Sequence, residues 1–228
     1  MNVMLLGATG LTGKNVLQGL LDAPEVSRVV APVRSPLAIT HGKLDAPVVD
    51  FDELAQHAAL FAVDAVVCCL GTTIKTAGSR DAFRRVDYDY PLQAATLAKA
   101  AGARHFLLIS AVGAKPDTVV FYSQVKGQLE EALKALHFDG LFIYQPGLLL
   151  AKREEFRSGE VLAGAFMPLI NKALVGKLSR YRGIAATTVA KAIVREVRNL
   201  AAGKTSAPGV QVRQYDEMQA LASQALER

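Results

Sequence analysis

Tyr122 and Lys126 stand four positions apart in Phe121-Tyr122-Ser123-Gln124-Val125-Lys126-Gly127. On a helix that spacing puts both side chains on one face, a turn apart. An ammonium beside a phenol favours the phenolate, so the tyrosine pKa is expected to fall toward the working pH. Such a tyrosine can give a proton to a carbonyl oxygen, or take one from an alcohol in the reverse direction. Pairs of this kind occur by chance on many helices. What singles this one out is Ser110, which ends the apolar run His105-Phe106-Leu107-Leu108-Ile109 one loop earlier. The expected catalytic set is Ser110, Tyr122 and Lys126, with Ser110 hydrogen-bonded to the substrate oxygen.

A second constellation lies near the start of the chain, in Gly7-Ala8-Thr9-Gly10-Leu11-Thr12-Gly13. It follows a short apolar run, Val3 to Leu6, and precedes a helical pattern carried by Leu11, Val16, Leu17, Leu20 and Leu21. Strand, glycine turn and helix in that order make a site for a phosphate group. The helix N-terminus supplies backbone N–H donors and the positive end of a dipole. The glycines allow the sharp turn and the close approach of a pyrophosphate. Gly7, Thr9, Gly10, Leu11, Thr12 and Gly13 are the expected contacts.

These residues need a parallel sheet to position them. Strand-like and helix-like runs alternate along the chain, the pattern of βαβ units. Further strands are expected at Val29–Val33, Pro47–Asp50, Asp64–Leu70, His105–Ser110 and Gly140–Gln145, with Pro32 awkward in the second. Helices are expected over Arg80–Ala101, broken near Pro91, and over Phe121–Leu136 and Thr187–Ala201. A late strand at Val210–Val212 and a closing helix at Tyr215–Leu226 complete the order. Glu160–Leu178 reads as helix with unclear ends. The expected fold is a doubly wound α/β sheet, a single domain over residues 1–228 with a substrate lid at 151–182.

In such sheets the ligand lies across the carboxyl ends of the strands. The second strand ends at Val33-Arg34-Ser35, without the acidic residue that would bind a ribose 2′-hydroxyl. Arg34 can instead grip a 2′-phosphate, so the expected cofactor is NADP(H); a solvated surface arginine is the plainer reading. Asp50 and Phe51 suit the edge and face of an adenine, or merely begin a loop. Leu70, Gly71 and Thr72 end the fourth strand where a small residue lets the backbone approach the cofactor. Tyr122 and Lys126 would complete the binding set, Lys126 on the nicotinamide ribose.

The remaining composition bounds the reading. Cys68 and Cys69 are the only cysteines and are adjacent, which suits small core residues and a reducing compartment. The four histidines show no ligand spacing, so no metal is expected. No leader or membrane span is read, and a cytoplasmic protein is expected. Lys and Arg against Asp and Glu number 13 to 14 over residues 1–151 and 13 to 7 over 152–228, which places the +5 net charge in the last third. Arg153, Arg157, Lys172, Lys177, Arg180 and Arg182 surround the apolar stretch Val161–Leu174. A solvated lid or dimer face ranks first there. An anionic substrate or acidic partner and a membrane-surface helix follow, with nucleic acid last.

In these residues the chain resembles the short-chain dehydrogenase/reductase superfamily, and more narrowly its atypical Tat-interacting-protein-like group. The G-x-x-G-x-x-G turn carries the likeness, with Val49-Asp50-Phe51, Cys68 to Thr73, Arg85-Val86-Asp87-Tyr88-Asp89-Tyr90, Tyr122 to Gly127 and Pro146-Gly147-Leu148-Leu149-Leu150. The resemblance implies a Rossmann fold, NADP(H) binding and a site at Ser110, Tyr122 and Lys126, with Pro146 and Gly147 backing the nicotinamide. Two residues depart from it. Asp87 stands where many extended members place Asn, and Gln145 where the group usually has Arg. The group includes binding and regulatory proteins as well as enzymes. The leading expectation is an NADP(H)-dependent reductase of a small carbonyl compound; the alternative is an NADP(H)-binding redox sensor without turnover.

Overall fold

The structure, a computed structural model, describes residues 1–150, 174–204 and 208–224. Its elements in chain order are β1 (Asn2–Leu6), α1 (Gly13–Asp22), β2 (Arg28–Val30), β3 (Leu44–Asp45) and a 3₁₀ stretch, Phe51–Phe61. Then come β4 (Ala65–Cys68), α2 (Ile74–Ala77), α3 (Arg80–Arg84), a π-helical turn at Arg85–Asp89 and α4 (Tyr90–Ala100). They are followed by β5 (His105–Ile109), α5 (Phe121–Lys134), β6 (Gly140–Tyr144), β7 (Leu149–Leu150) and β8 (Ile184–Ala185). Last are α6 (Ala186–Ala201), β9 (Gly209–Arg213) and α7 (Tyr215–Ser223).

Seven strands form one sheet in the order β3-β2-β1-β4-β5-β6-β9, every pair parallel. The reversal of strand order beside β1 is the switch point at which doubly wound folds bind dinucleotides. β1 and β4 are paired on both edges and apolar on both faces, which is why Val3 to Leu6 and Ala65 to Cys68 are fully buried. One face is covered by α1, α6 and α7 through Val16, Leu20, Val189, Ile193 and Met218. The other is covered by the 3₁₀ stretch, α4 and α5 through Leu54, Phe61, Ala94, Leu129 and Leu133. Truncating a core leucine such as Leu129 removes about 2–5 kcal/mol.

The expected doubly wound sheet is present, with local corrections. The second strand stops at Val30, because Pro32 has no N–H for a ladder; beyond it the Ala31 N–H donates to the Asp45 carbonyl at 2.8 Å and Val33 forms a bridge with Val48. The third strand is Leu44–Asp45 rather than Pro47–Asp50. The helix expected over Arg80–Ala101 does not break at Pro91, which sits in the first turn of α4 where its missing N–H is harmless. It widens instead into the π turn just before. Most of the expected helix Glu160–Leu178 and of the lid 151–182 lies outside the described residues; Gly176–Tyr181 forms a 3₁₀ turn.

Candidate active site

The glycine turn has a reason for each tight position. Gly7 adopts φ 81°, and a Cβ there would lie 2.7 Å from the Cys69 carbonyl oxygen. A Cβ on Gly13 would lie 1.9 Å from the Gly7 carbonyl oxygen. The Gly10 N–H donates to that same carbonyl at 3.0 Å and closes the turn. Thr9 and Gly10 are exposed, Leu11 is half-buried, and Thr12 and Gly13 are buried where α1 begins. Thr12 makes no side-chain cap, and no acid stands in the first turn of α1. The positive end of the helix therefore faces outward uncompensated, and the cradle fits an anion such as a pyrophosphate.

Further along the rim, Arg34 is exposed just beyond the Val33–Val48 bridge. Asp50 is exposed too, with Oδ1 accepting from the Asp52 N–H at 2.9 Å as the cap of the 3₁₀ stretch. Phe51 is placed differently from the expectation that its ring faces an adenine. It is 6% exposed, with its ring 5.7 Å from that of Tyr90. The Tyr90 hydroxyl donates to Asp52 Oδ1 at 2.7 Å, and burial together with that carboxylate pushes its pKa up to about 12.

The end of β4 joins the cradle to the expected catalytic residues. Gly7 abuts Cys69 and Leu70, and Gly71 stands over Asp87 and Lys126, 3.6 Å from Asp87 Oδ1 and 3.9 Å from Lys126 Nζ at its Cβ position. The Thr72 N–H donates to Asp87 Oδ2 at 2.8 Å. Lys126 Nζ pairs with Asp87 Oδ1 at 2.7 Å, an ionic contact off the hydrogen-bonding angle. Asp87 reaches it from the π turn, where it is buried. A Tyr/Lys pattern alone does not reveal this partnership with Lys126.

Tyr122 and Lys126 do lie on one face of α5, in the first half of the helix. The Tyr122 ring packs on Phe83, centroids 5.7 Å apart, and is 38% exposed. Its hydroxyl makes no hydrogen bond among the described residues. The expected lowering of its pKa is not what the surroundings produce. Burial raises it most, Lys126 lowers it, and Asp87 raises it again. Lys126 exerts the expected pull, but desolvation outweighs it and the counter-charge of Asp87 opposes it. Gly127 has a structural reason of its own: a Cβ there would lie 2.4 Å from the Lys115 backbone. The loop leading into α5 rests directly on the helix, fastened by the Lys115 N–H to the Ser123 carbonyl at 3.0 Å.

Ser110 is buried and donates its hydroxyl proton to Glu130 Oε1. Glu130 also accepts from Gln145 Nε2, at 3.0 Å to Oε1 and 3.1 Å to Oε2. Desolvation holds the Glu130 pKa above the ordinary carboxylate value, against the bonds from Ser110 and Gln145. Gln145 thus serves the carboxylate as a neutral donor. Glu130 escapes sequence reading because a glutamate on an amphipathic helix looks solvated; the available signal is its place four residues beyond Lys126. Pro146 is buried, its carbonyl accepting from the Val112 N–H at 2.9 Å. A Cβ on Gly147 would lie 2.5 Å from the Arg182 carbonyl oxygen, so a protein segment presses on this glycine.

Cys68 is fully buried, and burial pushes its thiol up to about 11 and raises that of Cys69 as well. Both behave as packing residues rather than nucleophiles. Among the described residues no three His, Cys, Asp or Glu side chains converge as a metal site, and no helix is long and apolar enough to cross a membrane.

A family model described as NAD(P)H-binding matches residues 7–157. The protein HTATIP2 of Rattus norvegicus is 43% identical over 169 residues, 72% of this chain and 69% of that protein. Protein FMP52-1, mitochondrial, of Scheffersomyces stipitis is 34% identical over 192 residues, 80% of this chain and 78% of that protein. Among solved structures, MoeE5 in complex with UDP-glucuronic acid and NAD superposes with TM-score 0.69 at 14% identity, covering 93% of this chain and 75% of that one. A short-chain dehydrogenase/reductase superfamily protein from Agrobacterium tumefaciens with bound NAD gives TM-score 0.67 at 15% identity, covering 97% and 81%. The structural likenesses show the fold. The naming of FMP52-1 and further fungal relatives as mitochondrial proteins overturns the cytoplasmic expectation. A reducing compartment explains unpaired cysteines equally well inside an organelle.

Proposed function

The chain belongs to the NAD(P)H-binding family, within the short-chain dehydrogenase/reductase superfamily and its Tat-interacting-protein-like group, and on that premise we propose that it is an NADP(H)-dependent reductase of a small carbonyl compound. The observation that carries the reading is the continuity of the rim. The anion cradle at Gly7 touches the end of β4 at Cys69 and Leu70, and Gly71 stands over the Asp87–Lys126 pair, one helical turn from Tyr122.

Gly7 to Gly13 would hold the pyrophosphate, Arg34 a 2′-phosphate, Asp50 the adenine edge, Gly71 and Thr72 the approach of the backbone, and Lys126 the nicotinamide ribose. Pro146 and Gly147 would bound the ring. When bound, the dinucleotide supplies the hydride. Tyr122 gives the accompanying proton from its hydroxyl to the carbonyl oxygen. Burial raises its pKa, and the hydroxyl stands in the protonated form that carbonyl reduction requires. The lid at 151–182, within a single domain, would carry substrate choice.

A second reading, NADP(H) binding without turnover, draws on the same pKa: a tyrosine not activated toward phenolate is what a sensor would tolerate. The loss of NADPH absorbance across a panel of aldehydes, ketones and quinones separates the two. Turnover that Tyr122→Phe abolishes supports the reductase. Tight NADPH binding with no turnover on any panel member supports the sensor.

A further inference from the structure

We infer that the segments at the carboxyl end of the sheet form a surface that docks on an anionic lipid bilayer, with Val119 and Val120 entering its headgroup layer. The inference stands apart from the reductase reading, since lipid binding is measured without turnover.

The strands bring four segments together. β4, β5 and β6 are neighbours in the sheet, so the segments leaving their carboxyl ends lie side by side. The Val112 N–H donates to the Pro146 carbonyl at 2.9 Å, which ties the segment after β5 to the one after β6. The latter meets the turn Gly176–Tyr181, because a Cβ on Gly147 would lie 3.0 Å from the Tyr181 carbonyl oxygen. On the other flank the Phe83 ring of α3 packs on Phe121, centroids 5.7 Å apart, and the Arg80 guanidinium lies 5.0 Å over the Phe121 ring. The four segments make one rim.

Each of them exposes large apolar side chains: Ile74 after β4, Val119 and Val120 after β5, Leu148 after β6, Val175 and Leu178 at the turn. With Tyr122 and Tyr181 they are eight of the twelve exposed large hydrophobic residues among those described, so the concentration belongs to this rim rather than to the surface at large. Two of them do nothing for the fold. Val119 is 100% exposed, and Val120 is 56% exposed at the N-cap of α5, where it makes no side-chain bond. That position favours Ser, Thr, Asp or Asn, and valine is among the poorest choices for it. Adjacent valines on such a tip gain free energy only by leaving water.

The charge around the tips selects what they enter. Lys75, Arg80, Lys115 and Arg180 are exposed on the same segments, against Asp81 and Asp117. Asp117 is matched within the rim, its Oδ1 3.3 Å from Lys115 Nζ. The Arg180 guanidinium lies 5.0 Å over the Tyr181 ring, a cation and an amphipathic ring together, the pairing that suits a headgroup layer. Apolar tips flanked by an excess of cations match hydrocarbon lying beneath anionic headgroups.

Co-sedimentation with phosphatidylcholine vesicles containing phosphatidylserine, and with phosphatidylcholine vesicles alone, tests the inference. The wild type should bind the first more tightly and lose binding as salt is raised. Val119→Asp with Val120→Asp should weaken binding at least about tenfold, and the second change keeps α5 intact because aspartate is a good N-cap. Lys75→Gln and Arg180→Gln should each weaken it about fivefold. Val210→Asp with Val212→Asp, at exposed positions of β9, is the control and should bind as the wild type does. Unchanged NADPH binding in every variant would show that docking, and not folding, is lost. No sedimentation with either vesicle overturns the inference, as does equal binding to both or an equal loss in the β9 control. So does a dimer formed without vesicles that Val119→Asp with Val120→Asp dissociates, since a second copy would then cover the rim.

Discussion

Lys126 Nζ lies 2.7 Å from Asp87 Oδ1, with the two side chains 5% and 1% exposed. The ammonium one helical turn from Tyr122 is therefore already paired with a carboxylate. Removing one partner of such a pair leaves the other buried and uncompensated, so Asp87→Ala should destabilise the fold by about 3–5 kcal/mol in urea denaturation.

Asp87→Asn keeps the shape and removes the negative charge. Because Asp87 raises the Tyr122 pKa and Lys126 lowers it, this variant should lower it. The phenol would then lose its proton at a lower pH, and the alkaline limb of the pH–rate profile for carbonyl reduction should move down. A limb that stays in place or moves up would show that the pair does not act on Tyr122.

Tyr122→Phe should lower kcat by about 10²–10⁴ while NADPH binding measured by calorimetry stays near the wild-type value. Lys126→Ala should impair both, since it removes the proposed ribose contact and strands Asp87. Substantial turnover in Tyr122→Phe would exclude the proposed proton donor.

Arg34→Glu should invert or erase a preference for NADPH over NADH, measured as the ratio of their dissociation constants. The exposed position of Arg34 makes the change tolerable to the fold. A ratio unaffected by the substitution would mean that the 2′-phosphate is held elsewhere or not at all.

The parts of this architecture that sequence reveals are those with a local physical rule. The apolar run, the glycines and the helix after them fix β1 and α1 because each residue's reason is its neighbour. The edge strand is misplaced for the opposite reason: Leu44 and Asp45 are half-buried and make a two-residue strand with no alternation to read. The π turn at Arg85–Asp89 contains neither Pro nor Gly and looks like ordinary helix. The spacing of Ser110, Tyr122 and Lys126 can be read from the sequence, yet their electrostatics cannot, because the residues that set them come from other elements. Asp87 reaches Lys126 across 39 positions, and Glu130 meets a serine from a strand and a glutamine from another.

The same Glu130 gives a stability prediction. Its folded pKa is raised by desolvation, so the folded state takes up a proton before the unfolded chain does. The penalty of burying the carboxylate is full above the folded pKa and disappears as pH falls below the ordinary value. The melting temperature of the wild type relative to Glu130→Gln should therefore rise as pH is lowered from alkaline toward 4.5. A difference independent of pH would show that Glu130 titrates alike in both states.

Gly127→Ala should force the Lys115–Pro116 backbone away from α5, since the added methyl would meet it at 2.4–2.5 Å. A cost of about 1–3 kcal/mol is expected, with loss of turnover because that loop leads into Tyr122. Gly42→Ala, with nothing within 4 Å, is the control and should leave melting and activity unchanged.

β7 and β8 lie side by side as a parallel pair, Leu149 opposite Ile184 and Leu150 opposite Ala185, and the Ile184 N–H donates to the Leu148 carbonyl at 2.9 Å. The chain thus departs from the rim and rejoins it through one doorway a single strand spacing wide. Whatever is threaded between the doorposts closes the same ring, and doubling the length of such a ring adds only about 0.6 kcal/mol of closure entropy. The entropy of closure alone therefore sets little limit on the length of chain that can run between Leu150 and Ile184.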